Sequence, residues 1–340
     1  MPRLIAPPGS GQWDAQIVVD PVDHKTVYAA WLQNNKSDAM VARSNDFGNT
    51  WSTVVANSTN SGVDKDILTA RGQDVYVGYN HAQKVWVSAS HDGGTTFTSV
   101  TINHFNPYGW SFAGGATVDP WGNVYFSWAG YSKVGQAMGP VTLYVSKSSD
   151  GGRTWTNTQL DTSASAPDCS VYGCGWAFLG AQMTMSSDAA GTLYLLWNAG
   201  MTDGGTERIY FARSTNAGAT WTSKQDVSTA SVGVSYAFPV IAAAGTGDVR
   251  IAWMDTRMAP LWNTYYRSTD DGGMTWSAES RLSAYVTSSG LLGYISPNGF
   301  DFPYGDYFDM AIDDQATTHV VWGAGQSYTG MGSIWYVRGQ

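Results

Sequence analysis

One octad recurs five times along the chain, reading Ser-x-Asp-x-Gly-x-Thr-Trp. It runs from Ser44 to Trp51, from Ser90 to Phe97, from Ser148 to Trp155, from Ser214 to Trp221 with Asn216 in place of Asp, and from Thr269 to Trp276. Its residue types describe a hairpin turn. A carboxylate or amide oxygen can accept backbone N–H groups inside the turn, and Gly supplies the positive φ that the turn requires. Thr and Trp then open the next strand, with the Trp free to pack between sheets. The octad carboxylates are therefore read as turn residues and not as catalytic groups.

A second repeat precedes each octad. A short apolar strand is followed by a turn and by a strand that ends in an aromatic. The copies lead from Ile17 to Trp31, Ile67 to Tyr79, Ala116 to Trp128, Met183 to Trp197, Val240 to Trp253 and Met310 to Trp322. Six copies of a four-strand unit predict an all-β, six-bladed β-propeller spanning residues 1–340 as one domain. The last copy has only three strands before the C-terminus. The stretch around Arg3-Leu4-Ile5 is expected to supply its fourth, so that the N-terminal strand closes the ring and leaves no sheet edge open. Composition agrees. Charged residues are 13%, against about 25% in average domains, and Gly and aromatics are frequent, as short strands and tight turns demand.

The formal charge of −9 and the absence of any Lys/Arg run argue against nucleic-acid binding. No stretch of apolar residues is long enough to span a membrane as a helix. The two cysteines, Cys169 and Cys174, are separated by four residues and read as a small disulfide loop, with reduced thiols as the alternative. A disulfide implies an oxidising compartment, so a secreted or periplasmic monomer is expected.

Repeated octads of this kind in a six-bladed propeller resemble the sialidase superfamily, where the motif is known as the Asp box. The resemblance covers nearly the whole chain and is more specific for fold than for function. It implies three arginines for a substrate carboxylate, a Tyr nucleophile assisted by Glu, and an Asp acid/base. Arginine suits the first role because its planar fork binds a carboxylate bidentately. The Arg-Ile-Pro start of that family is missing, and Pro2-Arg3-Leu4-Ile5 is a poor echo of it. Arg257, Arg208 and Arg281 are the arginines placed on the loop-bearing face. Glu207, Asp255, Asp306 and Asp309 are the acidic candidates, and Tyr304 and Tyr307 the tyrosines. Arg257 has a second reading, as an ordinary ion pair with Asp255 or Asp306.

The inner strands suggest a further cluster. Aligned on Asp20, Ala70, Asp119, Ser186, Ala243 and Asp313, they place Gln16, Asp66, Gly115, Gln182, Pro239 and Asp309 four residues earlier. Strand alternation would point all of these at the channel axis. Gln16, Asp66, Gln182 and Asp309 would then form an oxygen ring suited to calcium, and Asp14, Asp64 and Asp306 add nearby acids. Acid/base catalysis and plain hydrogen bonding at the channel mouth are the alternatives. Long aromatic loops surround this end. Trp110 and His104 lie in the first, with His104 a candidate base, while Trp176 follows the cysteine segment and Tyr304 lies in the last. The leading expectation is a sialidase-like hydrolase, exo-acting on a glycan. The alternatives are a calcium-dependent hydrolase of esters, lactones or phosphotriesters, and a non-catalytic glycan- or protein-binding propeller.

Overall fold

The computed structural model describes residues 11–59, 62–104, 108–168, 179–258, 261–283, 308–324 and 333–339. Every regular element among them is a β-strand. The strands form six antiparallel sheets, the six blades of a β-propeller. The first blade comprises β1 (Trp13–Val19), β2 (Val27–Gln33), β3 (Asp38–Ser44) and β4 (Ser52–Ser58). The second comprises β5 (Val63–Arg71), β6 (Asp74–His81), β7 (Lys84–Ser90) and β8 (Thr98–Thr101). The third comprises β9 (Trp110–Val118), β10 (Val124–Tyr131), β11 (Val141–Ser148) and β12 (Thr156–Ser163). The fourth comprises β13 (Met183–Ser187), β14 (Leu193–Gly200), β15 (Glu207–Ser214) and β16 (Gln225–Asp226). The fifth comprises β17 (Tyr236–Ala243), β18 (Val249–Met258), β19 (Leu261–Thr269) and β20 (Ser280–Arg281). The sixth comprises β21 (Phe308–Ile312), β22 (Thr318–Ala324) and β23 (Ser333–Gly339). Each sheet pairs its strands in chain order, as a meander. The expected closing strand at Arg3–Ile5 lies outside the described residues.

Two compact units divide the chain, Met1–Gly130 with Tyr144–Leu160 and Tyr131–Leu143 with Asp161–Gln340. Blades one and two fall in the first unit and blades four to six in the second.

The five octads share one hydrogen-bond pattern, which explains their residue types. In the first, Thr50 N–H donates to Asp46 Oδ1 at 2.8 Å and Thr50 Oγ1 donates to Asp46 Oδ2 at 2.7 Å. Gly48 N–H donates to Ser44 Oγ at 2.7 Å. The same contacts recur around Asp92, Asp150 and Asp271. At Asn216 the amide nitrogen instead donates to Thr220 Oγ1. Two successive residues take positive φ in each turn, such as Phe47 (59°) with Gly48 (83°) and Gly93 (70°) with Gly94 (79°). The octad glycine is retained because a Cβ is disfavoured there.

The strand-end aromatics are core residues. Trp31, Tyr79, Trp128, Trp197, Trp253 and Trp322 are all buried, so the second repeat is the packing signal of the blades. In the first unit Trp155 meets Phe126 edge to face at 5.8 Å, and in the second Trp276 meets Phe211 at 5.1 Å.

Candidate functional site

Three inner strands carry the same irregularity. The ladder to the second strand slips between Trp13 and Gln16, between Asp64 and Ile67, and between Ala237 and Val240. Each slip sets two residues against one buried aromatic, Trp31, Tyr79 or Trp253. The first bulged residue is left-handed, with φ of 54° at Asp14, 55° at Lys65 and 54° at Phe238. The second is Ala15, Asp66 or Pro239. A bulge re-aims the side chains it contains.

These bulges correct the alignment drawn from sequence. Counting back four residues assumed uninterrupted alternation. The registers instead place Gln16, Ile67, Thr184, Val240 and Asp309 at one level, opposite Ala30, Gly78, Leu196, Ala252 and Val321. Asp66 belongs to a bulge, and Gln182 precedes β13. Gln16 already uses its Oε1 to accept Leu68 N–H at 2.9 Å. Gln16, Asp66, Gln182 and Asp309 therefore do not occupy equivalent ladder positions. Among the described residues, no group of three or more His, Cys, Asp or Glu side chains is arranged to hold a metal ion.

In the first unit the chemistry gathers at Asp66. This residue is 2% exposed, and neither carboxylate oxygen has a hydrogen-bond partner. Loss of hydration and then the nearby Asp14 charge raise its pKa well above the ordinary carboxylate range. At the surface of the cluster, Lys36 Nζ lies 2.5 Å from Asp64 Oδ1 and 4.0 Å from Asp14 Oδ2. Lys36 is brought there by a strained hairpin. Asn34, Asn35 and Lys36 take successive φ values of 52°, 53° and 59°, and Val63 N–H clamps the Lys36 carbonyl at 2.5 Å. Lys65, half-buried by surface area, has its ammonium pKa lowered by desolvation despite Asp14 and Asp64.

In the second unit the buried acid is Glu207, at 0% exposure. Asn198 Nδ2 donates to its Oε2 at 2.5 Å, while Oε1 has no partner. Desolvation raises its pKa well above the usual value, outweighing the Asn198 hydrogen bond. Gly200 faces Glu207 across the ladder, and a Cβ at Gly200 would lie 3.3 Å from Glu207 Cγ. Asn198 also reaches Gly180 O at 3.0 Å and accepts Gln182 N–H at 2.9 Å. Tyr131 OH donates to Ala181 O at 3.0 Å, and burial followed by the Glu207 charge pushes its phenol pKa up.

The remaining candidates have mixed fates. Asp255, fully buried, pairs with Arg257, whose Nη2 lies 2.6 Å from Asp255 Oδ2. The second reading of Arg257, as an ion pair with Asp255, is the observed one. Glu279 completes the pairing at 2.5 Å from Arg257 Nη1. Arg208 is bound to Asp226 at 3.0 Å. Asp309 accepts Met310 N–H at 2.8 Å. Desolvation raises its carboxyl pKa, but its surface remains exposed, so solvent screening makes that shift weigh less than the one at Asp66. His104 is exposed, and Trp110 is half-buried at the head of β9. Asp306, Tyr304, Tyr307, Trp176, Cys169 and Cys174 lie outside the described residues.

Sequence reasoning missed Asn198, Tyr131, Lys36 and Glu279. Asn198 had a usable signal, since an Asn directly follows the strand-end aromatic in two blades, at Tyr79-Asn80 and Trp197-Asn198. Both asparagines are buried, and Asn80 Nδ2 likewise donates to a backbone carbonyl, that of Ser111 in β9.

No family model and no curated protein matches the chain. Solved structures do. A protein of unknown function from Dyadobacter fermentans aligns over 97% of this chain and 94% of its own, with TM-score 0.61 and 13% identity. A Hadza microbial sialidase aligns over 96% of this chain with TM-score 0.56 and 13% identity, and this chain spans 65% of its length. An ulvan lyase of polysaccharide lyase family 25 aligns over 95% of this chain and 77% of its own, with TM-score 0.55 and 12% identity. At such identities the likeness establishes the propeller fold.

Proposed function

We propose that this chain is a glycan-active hydrolase, exo-acting and sialidase-like in architecture, with buried carboxyl groups as its proton donors. The observation that carries this reading is Asp66. A bulge holds it almost wholly buried with both oxygens unpartnered. Buried polar atoms are rarely left without partners, and a carboxyl whose pKa is raised by burial is suited to protonating a glycosidic oxygen. Glu207 has the same character in the second unit, with one oxygen held by Asn198 and one unpartnered. Solved neighbours that include a sialidase and a polysaccharide lyase agree with a glycan substrate.

A panel of aryl glycosides tests the reading, with Asp66→Asn and Glu207→Gln alongside the wild type. We expect cleavage that survives chelator and falls by about 10²-fold or more in at least one of the two variants. Full activity in both variants would refute the assignment. Chelator-sensitive hydrolysis of an aryl ester or phosphotriester would move the reading to the calcium-dependent alternative. Inactivity across the panel with saturable oligosaccharide binding would leave a non-catalytic binding propeller.

A further inference from the structure

Resting on the glycan-active reading, we infer that the sugar taken at the loop-bearing end of the fourth and fifth blades is uncharged, because Arg257 and Arg208 there staple strands together and do not serve a substrate carboxylate. A guanidinium offers five N–H groups, and four of those of Arg257 are spent internally. Its Nε lies 2.9 Å and 3.1 Å from the two Asp255 oxygens. Its Nη2 reaches Asp255 Oδ2 at 2.6 Å, Glu279 Oε2 at 2.8 Å and Thr229 Oγ1 at 3.0 Å. Its Nη1 reaches Glu279 Oε1 at 2.5 Å. One face of the group stacks over Tyr265 at 3.8 Å. The carboxylates outweigh burial and hold Arg257 firmly charged.

One cation against two carboxylates leaves this cluster with a net negative charge. Asp255 is also held by Trp253 Nε1 at 3.0 Å and is fully buried. A carboxylate gripped bidentately by Arg257 would have to displace Asp255 or Glu279 from it, and stripping the buried Asp255 of its counter-ion is strongly unfavourable.

Arg208 repeats the arrangement one blade earlier. Its Nε binds Asp226 at 3.0 Å, its Nη1 donates to Ala230 O at 3.0 Å, and it stacks on Tyr236 at 5.5 Å. Arg208 thereby ties β15 to β16, and Arg257 ties the end of β18 to the residue preceding β20. Arg281 stands on the exposed outer strand β20, opposite Tyr265. Lys133, with Met138 Sδ 3.7 Å from its Nζ, is a point charge without the fork that carboxylate recognition uses. Arg3 is the one Lys or Arg outside the described residues.

Calorimetric titration of the full chain tests this without requiring turnover. The probes are N-acetylneuraminic acid and a set of neutral methyl hexosides and N-acetylhexosaminides. We expect a neutral glycoside to saturate, no saturation by the sialate below about 10 mM, and the neutral affinity to persist in Arg257→Lys. Sialate binding tighter than about 1 mM overturns the inference, and a tenfold weakening in Arg257→Lys would name the anchor. That outcome rests on the wild type alone, so it stands even if the variant folds poorly. Neutral binding without any hydrolysis would sink the hydrolase reading while sparing this one, and a failure of every glycoside to bind would sink both.

Discussion

Glu207→Gln isolates one buried carboxyl and predicts a change in how stability depends on pH. In the native chain Glu207 is fully buried with a strongly raised pKa, whereas in the unfolded chain it titrates near its ordinary value of 4.5. Between these two values the native state keeps a proton that the unfolded state has lost. Stability is therefore complete below the ordinary pKa and declines as pH rises, by about 1.4 kcal/mol per pH unit for one proton. The decline ends where the native group itself ionises. Glutamine keeps the shape and an oxygen for Asn198 Nδ2 but cannot ionise in either state. Near pH 4 the two proteins should be similar, and above it the variant should become the more stable, the gap widening by at most about 1.4 kcal/mol per unit until the native Glu207 ionises. Urea titrations at half-unit intervals from pH 4 to pH 8 would read this directly. Asp66, in the other unit, contributes a slope of the same sign, so the difference between variant and wild type is the quantity to plot. Parallel curves would refute the reasoning, since they would mean that Glu207 ionises as readily in the folded chain as in the unfolded one.

Two further perturbations follow from packing. Gly78→Ala should cost about 1–3 kcal/mol by overpacking, because its Cβ would stand 2.5 Å from Phe126 Cε1; denaturant midpoints that do not move would show that the neighbouring blade yields freely. Arg257→Met should cost about 3–5 kcal/mol, because it strands the fully buried Asp255; a loss below about 1 kcal/mol, in the range of exposed pairs, would mean that Asp255 reaches water.

The legible part of this protein is local. Each octad holds its own turn, since Asp46, Gly48 and Thr50 meet within a few residues and need nothing from elsewhere in the chain. The strand-end aromatics were equally readable, because a buried second strand leaves the same mark in six places. Blade number and strand order followed from those two signals. The candidate site was legible only as a supply of acids and arginines. Whether Asp66 shares a level with Gln16 turned on a bulge at Lys65, and bulges leave no period in the sequence. Whether Arg257 could hold a substrate turned on Glu279, 22 residues away and brought to it by the fold of the blade.

Sequence alone, then, determined the turns, the blades and their cores, because those depend on contacts between near neighbours repeated many times. Tertiary structure alone decided which carboxyls lose their water and which arginines are already paired. Desolvation and ion pairing depend on what surrounds a side chain in space, and that surrounding is assembled from distant segments that carry no mark of one another.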